Sequence, residues 1–147
     1  MANNTPSFNS LDTLTPTEQS ALVALMGYGM LGQVMLGKAI GVNMNSTADQ
    51  SITIRSSNYI IRRIVVTNAS ASLTTAAGGV YSAASKGGTA IVASGQAYSA
   101  LTTSVKVLDL TLANTDRRTE TTLYLSLTTG QGSASTANIY IFGDKLD

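Results

Sequence analysis

The residues that could do chemistry in this 147-residue chain are few, because the sequence contains no histidine and no cysteine. The chain therefore lacks the usual general base, the commonest metal ligand, a thiolate nucleophile and any disulfide framework. Its eight carboxylates are spread along the sequence, and only Asp109, Asp116 and Glu120 form a local group. A glycosidase-type pair or a Ca²⁺ site would need at least two of these facing one cleft. The pattern instead indicates that Asp109 faces solvent and that residues 116–120 form a solvated loop with local ion pairs.

Three further features could form a reactive or binding site. Ser85 precedes Lys86, but adjacent residues in a glycine-rich turn lack the support that a Ser-Lys nucleophile needs. Arg62 and Arg63 could bind an anion, although a salt bridge at an edge or an interface is the simpler interpretation. The glycine pairs 78–79 and 87–88 lack the spacing of a phosphate-binding loop. The sequence thus predicts no catalytic, cofactor-binding or metal site, and the protein is not expected to be an enzyme.

Composition points to a single globular domain with an uncharged polar surface. Apolar residues make up 44% of the chain and charged residues only 12%, about half the usual share. Hydroxyl side chains supply the polarity, with 17 Ser and 20 Thr. The net charge of +1 gives no electrostatic reason to expect nucleic-acid binding. Such a surface is typical of assemblies in which proteins contact one another over large areas, and of exported β-proteins.

The stretch at residues 59–68, Y-I-I-R-R-I-V-V-T-N, predicts a strand that is covered on both faces. β-Branched and aromatic residues dominate it, which suits a packed, pleated surface. Ile60, Ile64 and Val66 fall on one face with period two, and the other face is also largely apolar. The two arginines within it must therefore find a rim, a β-bulge or carboxylate partners.

The rest of the C-terminal part predicts several shorter strands. Residues 79–84 and 89–94 flank a turn at 85–88, which indicates a hairpin, and Tyr98 and Leu101 are expected to anchor the loop that follows. Leucine and isoleucine alternate with polar or aromatic residues over 105–112, 121–128 and 137–142, as in antiparallel strands with one buried face. The predicted core comprises Leu108, Leu110, Leu123, Leu125, Leu127, Ile139 and Ile141. Seven or eight strands at this spacing predict an all-β antiparallel β-sandwich, with a jelly roll as the leading variant and a meander or barrel as alternatives.

The N-terminal part is different in character. Residues 1–14 are polar and predict an arm. In residues 15–41 the cap Thr15, the following Pro16 and Glu18 form a helix-start signal, and no charge occurs from residue 19 to residue 37. We predict a helical apolar segment that is buried by protein. A membrane anchor is disfavoured, because four glycines interrupt the segment and only Lys38 flanks it. The predicted division is therefore 1–49 for the arm and helical anchor, and 50–147 for the β-sandwich domain. The side chains expected at a partner or oligomer interface are Leu22, Leu25, Met26, Met30, Leu31, Val34, Met35 and Leu36.

Residues 59–144 resemble a group of small proteins carried by tailed bacteriophages and prophages. The resemblance lies in YIIRRIVVTNASASLTTAAGGVYSAASKGGTAIVASGQAYSALT, followed by VLDLTL, LYLSLTT and QGSASTANIYIFGD. Such proteins look like virion components of the capsid-decoration or head-fibre type. The resemblance implies a β-sandwich that binds the major capsid protein or another virion protein as a homotrimer. It places the protein on the capsid surface of the virion, after assembly in the host cytoplasm.

Two functions from different classes follow. The first is a structural virion protein, either a capsid decoration (cement) protein or a head-fibre or spike-base protein. The second is a receptor- or carbohydrate-binding module of a phage fibre or tail. Sugar sites usually need exposed aromatic side chains, and this chain has no Trp, six Tyr and two Phe. No cofactor and no nucleic-acid partner are expected for either function.

Overall fold

The chain folds as a curled antiparallel sheet in a computed structural model, which describes Thr15, Thr17 and residues 33–147. Gln33–Asp147 is one compact unit without a helix. Its nine strands are β1 (Val34–Asn43), β2 (Gln50–Ile54), β3 (Tyr59–Thr67), β4 (Ala77–Ala83), β5 (Gly87–Val92), β6 (Val107–Asp109), β7 (Arg117–Arg118), β8 (Thr122–Thr129) and β9 (Thr136–Lys145). The all-β prediction is confirmed for this part of the chain.

All nine strands belong to one sheet, in the order β5-β4-β8-β2-β1-β9-β3-β6, and β7 also pairs with β3. The sheet curls into a half-barrel, so its concave side holds the core. The two packed sheets of a jelly-roll sandwich are not confirmed. Most neighbours in this order are distant in sequence, which is why strand spacing alone did not reveal the arrangement.

The segment after β6 links the two edges of the curled sheet. Leu110 donates its backbone N–H to Ile64 O of β3, at 2.9 Å. Two residues further on, Leu112 forms an isolated bridge with Val92 of β5, and Ala113 N–H donates to Ile91 O at 2.8 Å. One short stretch therefore satisfies backbone groups on β3 and on the edge strand β5, which reduces the exposed sheet edge.

The prediction of a helix over residues 15–41 is wrong from Val34 onward. Residues 34–43 form β1, which pairs with β2 on one side and with β9 on the other. Its Leu36 is only 2% exposed and belongs to the core. Backbone pairing on both sides and burial of Leu36 outweigh a local composition that favours a helix, since propensity is a weak prior. Strand structure thus begins 16 residues before the boundary expected at Gln50. Thr15 and Thr17 are exposed, and the predicted arm and the remainder of the helix lie outside the described residues.

The strand predicted at 59–68 is confirmed as β3, and both of its arginines have carboxylate partners. The predicted face of Ile60, Ile64 and Val66 is wrong at Ile60, which is not part of the core cluster. A register shift between Ile61 and Arg63 marks a β-bulge in the pairing with β9. Because the bulge offsets the alternation by one residue, the core face carries Ile61 before it and Ile64 after it. Arg62 Nε donates to Asp144 Oδ2 at 2.7 Å, and Arg63 binds Asp109.

The core confirms most of the predicted set. Six of the seven predicted core residues are buried, namely Leu110, Leu123, Leu125, Leu127, Ile139 and Ile141. Leu108 is half-buried and packs against this cluster. The loop anchors are also confirmed, since Tyr98 and Leu101 are both fully buried. The period-two pattern therefore identified the core face correctly on β8 and β9.

The β4–β5 hairpin is confirmed, but its corner lies earlier than the Gly-Gly pair. Ser85 and Lys86 have φ values of 59° and 58°, and Gly87 N–H donates to Ala84 O at 3.0 Å. Two non-glycine residues therefore occupy the left-handed region, which is energetically unfavourable. Asp49 Oδ2 accepts the Ser85 N–H at 2.5 Å and helps to hold this turn.

Two buried tyrosines make the fold sensitive to alkali. Tyr59 donates its hydroxyl to Glu120 O at 2.7 Å. Burial, followed by the nearby Glu120 carboxylate, raises the pKa of Tyr59 to about 12 from 10.0. Burial also raises the pKa of Tyr98, whose hydroxyl donates to Gly78 O at 3.3 Å. Both phenols stay protonated in the folded state at a pH where an unfolded chain ionises.

We expect the free energy of unfolding to fall as pH rises from 10 to about 12. In this range the unfolded chain binds fewer protons than the folded chain, so the slope of stability against pH is negative. Denaturant unfolding at a series of pH values measures this slope, and Tyr59→Phe should reduce it. An equal slope in the variant would show that Tyr59 does not contribute.

Candidate interaction surface

The convex side of the sheet carries a row of side chains across β1, β9, β3 and β6. Lys38 is paired with Tyr140, Tyr140 with Val65, and Val65 with Asp109. Directly opposed residues in antiparallel strands share a face. Core residues flank members of this row, with Ile139 and Ile141 on either side of Tyr140. The row therefore lies on the face away from the core.

Neighbouring rows extend this face. Met35 is paired with Phe142, and Phe142 with Arg63, while Val107 is paired with Thr67. Ile40 lies at a register shift of β1 and is 58% exposed, and Val107 is 53% exposed. We call this set the convex surface; it comprises Met35, Lys38, Ile40, Arg63, Val65, Val107, Asp109, Tyr140 and Phe142.

Apolar side chains dominate the convex surface. Met35 is 41% exposed, and the rings of Tyr140 and Phe142 are half-buried between their neighbours. Val65 is buried although it does not belong to the core cluster, and Tyr140 and Asp109 lie opposite it on the two neighbouring strands. Clustered exposed apolar residues on a sheet face are a mark of a protein contact site.

The charges of the convex surface nearly cancel. Arg63 uses Nε and Nη2 to bind both carboxylate oxygens of Asp109, with Nη2–Oδ2 at 2.8 Å. The hydrogen bond from Arg63 is the main cause that lowers the pKa of Asp109. Lys38 is therefore the one charged residue of this surface without an ion pair among the described residues. A nearly neutral, apolar surface with aromatic, Met and Arg side chains has the composition of a protein–protein interface.

The structure distributes the predicted interface residues between different environments. Leu36 is in the core, Val34 is half-buried against the core, and Met35 lies on the convex surface. The other five, Leu22, Leu25, Met26, Met30 and Leu31, lie outside the described residues. Ile40, Tyr140, Phe142 and Val107 were not predicted, although the alternation over 137–142 already assigned Tyr140 and Phe142 to the face opposite Ile139 and Ile141.

The predicted solvated loop at 116–120 needs a correction. Asp116 bonds locally, since its Oδ2 accepts the Asn114 side-chain N–H at 2.7 Å. Arg118, however, is only 6% exposed and belongs to strand β7. The pairing of β7 with β3 removes this residue from solvent. Within residues 33–147, no three carboxylates lie close enough together to hold a metal ion.

Comparison with protein-family models, curated proteins and solved structures gave no match. Over the described residues, no helix has the length and hydropathy required to cross a bilayer.

Proposed function

We propose that this protein is a structural component of a tailed-phage particle, a capsid decoration protein or a head-fibre or spike-base protein. In this proposal it binds the major capsid shell as an oligomer. The convex surface carries the proposal, because it combines exposed apolar residues with nearly balanced charge. The resemblance of residues 59–144 to small phage virion proteins supports the same function.

The convex surface suits contact with a protein more than contact with a glycan. None of the aromatic side chains in residues 33–147 is fully exposed, and a sugar-stacking platform requires an open ring face. Tyr140 and Phe142 are instead half-buried, with Lys38 and Val65 opposite Tyr140, and Met35 and Arg63 opposite Phe142. A flat protein surface, such as a capsid shell, can cover the exposed parts of Met35, Ile40 and Val107 together.

We expect Ile40→Asp combined with Val107→Asp to reduce the copy number of the protein on purified particles at least about tenfold. A contact that buries these side chains would have to desolvate two unpaired carboxylates, and each 1.4 kcal/mol of lost affinity is a factor of ten. Quantitative mass spectrometry against the shell protein measures the copy number, and circular dichroism checks that the variant is folded.

Leu146→Asp is the matched control, because Leu146 is a 42% exposed apolar residue outside the convex surface. It should leave the copy number unchanged. Full occupancy by the double variant would exclude the convex surface as the attachment site. Failure of the unmodified protein to co-purify with particles would contradict the virion function itself.

A further inference from the structure

Arg118 is a buried cation at one end of the curled sheet. In the pairing of β7 with β3, Arg118 is opposite Tyr59 and Arg117 is opposite Ile60. Directly paired residues share a face, so Arg118 lies on the core side of the sheet beside the buried Tyr59. Its side chain is only 6% exposed.

Two of the guanidinium nitrogens of Arg118, Nε and Nη2, have no hydrogen-bond partner and almost no exposure to solvent. The third, Nη1, lies 3.7 Å from Glu120 Oε1. Three neighbouring arginines differ in this respect. Arg62 Nε donates to Asp144 and Arg117 Nε to Asn58 Oδ1, while Arg63 is bound by Asp109. Arg118 is therefore the most buried of the four arginines and the one whose Nε lacks an acceptor. An unpaired charge in a buried position lowers the stability of the fold.

The two free nitrogens define the chemistry of the missing acceptor. Nε–H and one N–H of Nη2 point in parallel and bind the two oxygens of a carboxylate or phosphate side by side. This chain contains an example, because Arg63 uses the same two nitrogens on the Asp109 carboxylate. We propose that Arg118 is the anchor of an oxyanion site, occupied by a carboxylate or phosphate group that does not belong to the described residues.

The surroundings of Arg118 favour an anion. Lys145 and Arg118 are both paired with Tyr59, on opposite sides of β3, and Arg117 is in the adjacent row. The carboxylates at the end of β9 and just after it are already engaged: Asp144 by Arg62, and Asp147 by Ser56, Ser57 and Lys145. Glu120 is the remaining one, and its Oε2 accepts the Thr119 N–H at 3.2 Å. An oxyanion could come from solution or from an acidic side chain of another protein, and the site would exist whether or not the protein belongs to a virion.

The test is a titration of the ¹⁵N-labelled full chain with sodium phosphate and, separately, with sodium acetate, at ionic strength held constant with chloride. The Nε–Hε cross-peak of Arg118 is followed by NMR and assigned by its loss in Arg118→Lys. We expect this peak to shift saturably with at least one of the two anions. The Arg63 peak, assigned with Arg63→Lys, should not shift, because Nε and Nη2 of Arg63 already donate to the Asp109 carboxylate.

A stronger response to acetate identifies an acidic side chain as the source, and a stronger response to phosphate identifies a phosphate group. Glu120→Gln should keep or strengthen the response, because a negative charge next to the entering anion is removed. The proposal is overturned if neither anion shifts the Arg118 peak beyond the chloride reference. Loss of the response in a folded Glu120→Gln variant would overturn it too, since the effect would then arise from Glu120.

Discussion

A chain that begins at Val42 is expected not to fold, whereas a chain that begins at Gln33 should keep the β-structure. The shorter chain lacks most of β1, which is hydrogen-bonded to β2 and to β9 in the middle of the sheet. It also loses Leu36 from the core. Removal of an inner strand separates the two halves of the sheet and leaves two rows of backbone groups unpaired.

The comparison of the two truncated chains shows whether β1 itself, and not the residues before it, is required for folding. Circular dichroism and cooperative thermal unfolding are the measurements, with the chain that begins at Gln33 as the control. The core cluster found in the described residues runs from Leu36 to Ile141, so this control retains it. A β-type spectrum with cooperative unfolding in the chain that begins at Val42 would contradict the central position of β1.

The second large effect is expected for Leu125→Ala, which should lower the free energy of unfolding by about 2–5 kcal/mol. Leu125 lies on β8, is fully buried, and is paired with Val80 of β4 on one side and Gln50 of β2 on the other. Truncation to Ala removes apolar contacts and leaves a cavity that the surrounding sheet cannot close without disturbing its hydrogen bonds.

Leu146→Ala makes the same chemical change at an exposed position and serves as the control for Leu125→Ala. Equilibrium denaturation of both variants gives the difference directly. A loss below about 0.5 kcal/mol for Leu125→Ala, the usual limit for a surface substitution, would be incompatible with a core position.

Sequence patterns predicted the elements whose structure depends on alternation within one strand. The buried leucines of β8 were recognised because a one-sided apolar pattern identifies the face that must leave water. β3 was recognised from its β-branched and aromatic residues, and the β4–β5 hairpin from its glycine-rich turn. The arginines of β3 were also expected to need a bulge or carboxylates, because a charged side chain in an apolar strand must be paired. The particular partners, Asp144 and Asp109, lie 82 and 46 residues away and could not be read from the local pattern.

The candidate sites could not be predicted from the sequence, because each depends on pairing between strands that are distant in the chain. The convex surface is formed by residues of four strands, and only the register of β1, β9, β3 and β6 brings them together. Arg118 was predicted to lie in a solvated loop because its surroundings in the sequence are charged. Its burial results from the pairing of β7 with Tyr59 and Ile60.

The sequence by itself determined that the protein is β-rich, which faces of its strands are apolar, and that histidine and cysteine chemistry is excluded. Only the tertiary structure decided that residues 34–43 form a strand in the middle of the sheet and that nine strands make one curled sheet. The physical reason is that alternation and propensity are properties of neighbouring residues, whereas strand order depends on hydrogen bonds between distant segments. For Val34–Asn43, pairing with both β2 and β9 and burial of Leu36 outweighed a local preference for helix.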